Sequence, residues 1–543
     1  MPDNCCGGRV RDSLPRLRQI KEGSDFMSKI VSMDTALDLI RDGAVVGTSG
    51  FMIAGTPESI FRAMGERYEQ SGHPRDLTCV FCASQGNTEG QGYDHLAQDG
   101  MIAKIIGGHF GLTPKLGKYM AENKCQAYNY PLGVVAGIFR AAIQQRPGEL
   151  TKVGLKTFVD PRLEGGKINA VTTEDLVKVV EFEGEEWLWY PTPKFDVAII
   201  RGTTGDEDGN ITIEHEPVNL EMRTIAMAVK ACGGKVIVQV KNAVRAGSLT
   251  ADRVEIPGIF VDAVVVSPDP IEEHRQTKAY FYDPSMSGHI NVPVDSIPPL
   301  PLDVRKVLAR RAAMELTPHA VINLGIGVPE GVAVVAAEEG FGDQLTMTTE
   351  SGVMGCIPCG GGAFGAGQNA LGILDMRTMF DFYDGGGLDM TVLGLAEVNA
   401  KGDINVGRFG PKTPGCGGFI NISQNTGKVV FCGSFTSGGL ELEIGNGALH
   451  IIREGRNRKF VETVQQVTYS GEYGASIGQE VLYVTERAVF RLTRAGIVLT
   501  EIAPGVDLQK DVLDQMGFLP ILSKDLKQMD PRIFQAEKMG LTI

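Results

Sequence analysis

Short apolar runs that end in glycine recur along the chain, each long enough for one buried strand. Ala44-Val-Val-Gly47 and Ala320-Val-Ile-Asn-Leu-Gly325 both lead through glycine turns into Pro-Glu, at Pro57-Glu58 and Pro329-Glu330. Proline at the first turn of a helix loses no hydrogen bond, and glutamate there meets the positive end of the helix dipole. Each run therefore predicts strand, glycine turn and helix start. A second pair follows in the same order. Asp196-Val-Ala-Ile-Ile and Asp389-Met-Thr-Val-Leu each reach a glycine 13 positions beyond the aspartate, Gly209 and Gly402. Gly234-Lys235-Val-Ile-Val and Gly427-Lys428-Val-Val-Phe keep the same offset of 193. Several segments repeated in one order predict a duplication, with buried strands alternating with helices.

The expected fold is thus α/β: two duplicated open α/β domains packed around one cleft. Pro293-Val-Asp-Ser-Ile-Pro298-Pro299-Leu-Pro301 marks a proline-rich linker. The expected divisions are a disordered polar tail over 1–26, a first domain over 27–285, a linker over 286–301 and a second domain over 302–543. The halves differ in one respect. Glu58 and Asp196 are 138 positions apart, whereas Glu330 and Asp389 are 59 apart. The first half carries an insertion suited to a cover or a substrate-binding element.

Composition narrows the function. A formal charge of −14 argues against nucleic acid or an anionic membrane as partner. No uncharged apolar run approaches a membrane span, and the Arg-bearing first residues have no hydrophobic signal region. Ten cysteines suit a cytosolic set of free thiols, which predicts a cytoplasmic location. The two C-x-x-C pairs, Cys79/Cys82 and Cys356/Cys359, lie 277 positions apart, far from zinc-ribbon spacing, so no metal is expected. Gly325-Ile-Gly327-Val-Pro-Glu330 resembles a dinucleotide fingerprint with glutamate in place of the third glycine, and that charge would repel a pyrophosphate.

One carboxylate stands out. In Gln344-Leu-Thr-Met-Thr-Thr349-Glu350-Ser351-Gly352, an alternating strand delivers Glu350 to the edge of a loop almost without side chains. Matching Leu77-Thr78 to Leu345-Thr346 puts Cys82 opposite Glu350, and a two-residue slip puts Ser84 there. Neither gives the first half a carboxylate. A carboxylate facing backbone N–H groups can act as a nucleophile, and glycine-rich loops can supply the donors for an oxyanion. Gly385-Gly386-Gly387, just before a buried strand, is the expected donor loop, with Gly386 or Gly387 giving the amide. Gly325 and Gly327 are expected to present amides to a phosphate or pantetheine group. Gln85, within Ser84-Gln85-Gly86-Asn87, is expected on the cleft floor. Arg408 and Lys412 are candidates for nucleotide phosphates.

Together these segments resemble the family I coenzyme A transferases. The likeness rests on Thr349-Glu350-Ser351-Gly352-Val-Met-Gly355, on Asn323-Leu-Gly-Ile-Gly327-Val-Pro329, and on Thr157-Phe-Val-Asp-Pro161-Arg with Gly165-Gly-Lys-Ile-Asn169. Tyr383-Asp-Gly-Gly-Gly-Leu-Asp389, Gly417-Gly-Phe-Ile-Asn421 and Glu501-Ile-Ala-Pro-Gly-Val-Asp507 narrow it to single-chain bacterial propionate/acetate CoA-transferases. The resemblance implies the fold shared by CoA-transferases and sugar-phosphate isomerases, and a catalytic Glu350 that becomes a glutamyl-CoA thioester. It also implies acyl-CoA and short-chain carboxylic acids as substrates, no cofactor beyond coenzyme A as substrate, and a homo-oligomer. A sugar-phosphate isomerase and an acyl-CoA-binding sensor remain alternatives on the same architecture, as does an acetoacetate-type specificity.

Overall fold

The computed structural model describes residues 28–293 and 298–543, so the expected tail over 1–26 and part of the expected linker lie outside the described residues. The apolar runs form parallel strands covered on both faces, as strands without a polar face must be. In the first half these are β1 (Val45–Thr48), β2 (Leu77–Phe81), β3 (Ile102–Gly107), β4 (Gln126–Asn129), β5 (Val197–Arg201), β6 (Lys235–Val240) and β7 (Ala263–Val266). Their order across the sheet is β7-β6-β5-β1-β2-β3-β4, all parallel.

The second half opens with β8 (Val321–Leu324), β9 (Thr346–Thr348), β10 (Val353–Met354), β11 (Gly372–Ile373) and β12 (Met390–Gly394). It continues with β13 (Lys428–Cys432), β14 (Glu480–Val484), β15 (Ala488–Thr493), β16 (Gly496–Ile502) and β17 (Ile521–Gln528). The ten strands run β11-β10-β9-β8-β12-β13-β14-β15-β16-β17 across one sheet.

Five strands in each half share order and register, so the duplication is physical. Val45 pairs with Thr78 as Val321 pairs with Thr346. Val46 pairs with Val197 as Ile322 pairs with Met390. The same clamp is built twice: Asp196 Oδ2 accepts from the Val45 amide at 3.0 Å, and Asp389 Oδ2 accepts from the Val321 amide at 2.8 Å. This register makes Cys82 the counterpart of Glu350, without a slip.

Helices cover both faces of the sheets. α1 (Glu58–Ser71), α2 (Leu132–Ile143) and α3 (Met222–Ala231) belong to the first half; α4 (Gly331–Glu339), α5 (Met376–Asp384) and α6 (Phe419–Asn425) belong to the second. α2, α3, α5 and α6 pack in the core shared by the two halves, and α1 and α4 on the outer faces. One apolar core, containing Val80, Phe139 and Ala198 as well as Phe380, Phe419 and Val429, runs across both halves. The first half's insertion adds β3, β4, α2 and a small three-stranded antiparallel sheet, and it packs against the second half. There Phe158 N donates to Val467 O (2.7 Å), Gly154 N to Gln424 Oε1 (2.8 Å) and Gly133 N to Asn421 Oδ1 (3.1 Å).

Arg201, the last residue of β5, holds the loop that enters the cleft. Fully buried, it binds Glu216 through two nitrogens (3.0 and 2.5 Å) and donates to the carbonyls of Ile53 and Thr56 (both 3.1 Å). Burial alone would raise the Glu216 carboxyl, but the Arg201 charge and a His274 hydrogen bond overcome it and hold it at about 2. Replacing one partner strands the other, so Arg201→Met is expected to destabilise the fold by about 3–5 kcal/mol. In denaturant melts, the double variant Arg201→Met/Glu216→Leu should recover most of that loss.

Candidate active site

Glu350 leaves the carboxyl end of β9 on a tight turn. Thr349 N donates to Val353 O (2.9 Å) and Gly352 N to Thr349 O (3.1 Å), which doubles the chain back into antiparallel β10. Gly352 has φ +120°, and a Cβ there would lie 2.1 Å from Leu374 O, so only glycine fits. Thr349 Oγ1 and Ser351 Oγ share a hydrogen bond (2.8 Å), and Ser351 Oγ donates to Gly365 O. The turn is thereby fixed, with the glutamate at its tip.

The side chain opens on a cavity of about 230 Å³ between the halves. The first half contributes Phe51, Met52, Ser84, His109 and Leu132; the second contributes Ile326, Phe364 and Gly417 beside Glu350. Among the described residues the carboxylate has no ion pair, and burial pushes it up to about 7. Gly418, directly before α6, lies against it: a Cβ there would meet Glu350 Oε2 at 2.6 Å and Phe380 Cζ at 3.1 Å. The Gly418 amide has no acceptor among the described residues, so the residue that lies against the carboxylate keeps a free backbone N–H.

The expected donors Gly386 and Gly387 are elsewhere. Their amides close the end of α5, Gly386 N on Tyr383 O (3.0 Å) and Gly387 N on Phe382 O (2.9 Å). They precede β12, whereas Glu350 follows β9. Both strands run parallel to β8, so the glycines occupy the opposite end of the sheet. This corrects the assignment of that loop as the oxyanion donor.

The other expected binding residues divide similarly. Gln85 is fully buried and turns inward, its Nε2 on Thr48 Oγ1 (2.9 Å); its neighbour Ser84 faces the cavity instead. The Gly325 amide is used by the sheet, on Val392 O (2.9 Å), and the Gly327 carbonyl accepts from Arg305 (3.1 Å). Their loop reaches the cavity through the side chain of Ile326. Arg408 is held by Glu164 Oε2 (3.0 Å) and Ile168 O (2.9 Å), and Lys412 sits exposed on a hairpin with Phe409. Neither lines the cavity.

In the first half, the strand end equivalent to Glu350 is sealed. Cys82 is fully buried and its thiol is pushed well above the ordinary range by burial. The nearby Glu221, 1% exposed, is raised to about 8, also by burial. Cys356 and Cys359 are free thiols raised by burial to about 12 and about 11.

Known proteins share this arrangement of chain and fold. The profile of the coenzyme A transferase family matches residues 30–267. Caffeate CoA-transferase of Acetobacterium woodii is 47% identical over 95% of this chain and 99% of its own. The chain belongs to family I of the coenzyme A transferases. Acetate CoA-transferase YdiF of Escherichia coli K12 is 42% identical to the transferase, over 95% of this chain and 96% of its own. Two crystal structures of acyl-CoA transferase (YdiF) from E. coli O157:H7, the apoenzyme and a thioester complex with CoA, superpose with TM-scores of 0.90 and 0.89. Both are 40% identical, and they cover 96% and 95% of the transferase and 98% of each relative. The transferase thus matches these single-chain relatives over nearly their whole length.

Proposed function

We propose that this CoA-transferase works by a ping-pong route through a covalent thioester on Glu350, with short acids of the acetate or propionate kind as substrates. The observation that carries the reading is an unpaired, half-buried carboxylate on a locked turn, with Gly418 and its free amide next to it. Ionised Glu350 attacks the thioester carbonyl of acyl-CoA and expels CoA thiolate, giving an acyl-glutamyl anhydride. The thiolate attacks the glutamyl carbonyl, releases the first acid and leaves glutamyl-CoA. A second carboxylate reverses both steps. Each tetrahedral intermediate carries an oxyanion, and the Gly418 amide is positioned to stabilise the one formed on Glu350.

No general base is required, because both nucleophiles are anions. Much of the cavity wall is apolar, through Phe51, Leu112, Leu132 and Phe364, which limits water as a competing nucleophile. That wall has no lysine or arginine, which suits monocarboxylic acids. A second specificity is favoured by the Phe51–Phe364 pair, with ring centroids 5.9 Å apart, and by the likeness to caffeate CoA-transferase: a flat aromatic acid.

Incubation with acetyl-CoA followed by peptide mass spectrometry should find CoA on the peptide containing Glu350. Absence of the adduct from an active enzyme would sink the mechanism. Rates with acetate, propionate, butyrate, lactate, acetoacetate and caffeate then decide the acid. A caffeate rate above the acetate rate would replace the short-chain reading.

A further inference from the structure

The cavity holds a second unpaired polar side chain, His109. It sits just beyond β3, on a segment that ties the two halves together. Gly108 N donates to Cys82 O (2.9 Å), Phe110 N to Pro414 O (2.7 Å), and Gly417 N to Gly108 O (2.8 Å). Asn129 Nδ2 also holds the Gly108 carbonyl (2.7 Å). The backbone around the imidazole is therefore fixed from both halves.

Glycines leave room for the ring. A Cβ on Gly111 would meet His109 Cε1 at 2.9 Å, and one on Gly417 would meet Cδ2 at 3.9 Å. Gly417 adjoins Gly418, the residue in contact with the Glu350 carboxylate, and neighbouring Cα atoms are only about 3.8 Å apart. Imidazole and carboxylate thus flank the same few ångströms of backbone and line the same cavity.

Neither ring nitrogen has a partner among the described residues. The ring is half-buried, and the neighbouring wall positions are leucine and phenylalanine, which offer it no hydrogen bond. A residue present only to fill space would more cheaply be apolar. Burial holds the imidazole neutral, with its pKa lowered to about 4. It therefore offers one N–H without forming an ion pair that would blunt Glu350 as a nucleophile.

Resting on the proposed Glu350 mechanism, we propose that His109 donates a hydrogen bond to the oxygen of the acyl group itself. The reaction develops charge on two carbonyl oxygens, one glutamyl and one acyl, and the Gly418 amide is adjacent to the first. His109 serves the second, holding the acyl carbonyl of the thioester and the carboxylate of the incoming acid in line with Glu350. The proton stays on the ring throughout, so no transfer step is added. His109 is then a catalytic residue in direct contact with substrate.

The test compares His109→Leu, which removes the donor, with His109→Asn, which keeps an N–H donor on a smaller side chain. The measurement is the rate of CoA adduct formation on Glu350 from acyl-CoA, with kcat and KM for the acid and thermal midpoints as a check on folding. Leucine should slow adduct formation by about 10²-fold or more while KM moves by only a few-fold; asparagine should recover most of that loss. His109→Ala leaves a hollow, and added imidazole should restore its rate. Leucine within threefold of wild type, asparagine no better than leucine, or no imidazole rescue would overturn the proposal. These outcomes are separable from the Glu350 reading: slow adduct formation that reaches full yield leaves Glu350 intact, whereas no adduct in the wild-type enzyme removes both.

Discussion

Replacing Glu350 with glutamine is expected to lower kcat by at least about 10⁴-fold, because the amide cannot attack a thioester and no other group in the cavity can carry CoA. In the wild-type enzyme kcat/KM should rise with pH through about 7 and then level, as the carboxylate ionises. The same buried carboxyl sets a stability effect of defined sign. Its folded pKa lies above the ordinary value of 4.5, so between these limits the folded state holds a proton that the unfolded state has released. Stability therefore falls as pH rises from about 4.5 to about 7, by up to about 3 kcal/mol, and stays lower above that. Glu350→Gln should accordingly be more stable than wild type at pH 8 and no more stable at pH 4. A variant that keeps one hundredth of the activity, or whose thermal midpoint shows no pH-dependent gain, contradicts this account.

Gly418→Ala is the second large effect. The added methyl would lie 2.6 Å from Glu350 Oε2 and 3.1 Å from Phe380 Cζ, so the carboxylate must move. A loss of about 10²–10³ in kcat is expected, comparable to losing an oxyanion donor. Gly386→Ala provides the contrast. There the nearest atom to the new Cβ is Asn425 O, 3.9 Å away, and the strain is a positive φ of 82°. About 1 kcal/mol of stability should be lost with activity within a few-fold of wild type. Equal activity losses in the two variants would return the oxyanion role to the Gly385–Gly387 loop.

Much of this fold was legible because it is written twice. Matching apolar runs and the paired Asp196 and Asp389 predict four of the five common strands, the pair Ala263–Val266 and Glu480–Val484 emerging only from the fold, and the strand ending at Thr348 predicts where Glu350 emerges. The errors have physical causes. Three adjacent glycines resemble a ligand-facing loop, yet a helix end also needs glycine at positive φ, as at Gly386. Chain order does carry the answer: a loop before one parallel strand and a residue after another lie at opposite ends of the sheet. Gln85 and Ser84 were separated by a single position, and one position turns a side chain to the opposite face. Arg408 appears free in the sequence because its partner, Glu164, is 244 positions away. The Cys-Gly-Gly-Phe run at 416–419 was a readable sign of close backbone approach. His109, alone among glycine and apolar residues, carries no local pattern that marks it.

The two equivalent strand ends do not open on separate clefts. Ser84, beyond β2, and Glu350, beyond β9, line the same cavity, while Cys82 and Glu221 are closed off behind it. Two copies of one architectural unit therefore share a single reactive centre. Labelled CoA trapped on the enzyme should count one equivalent per chain, although the fold repeats twice.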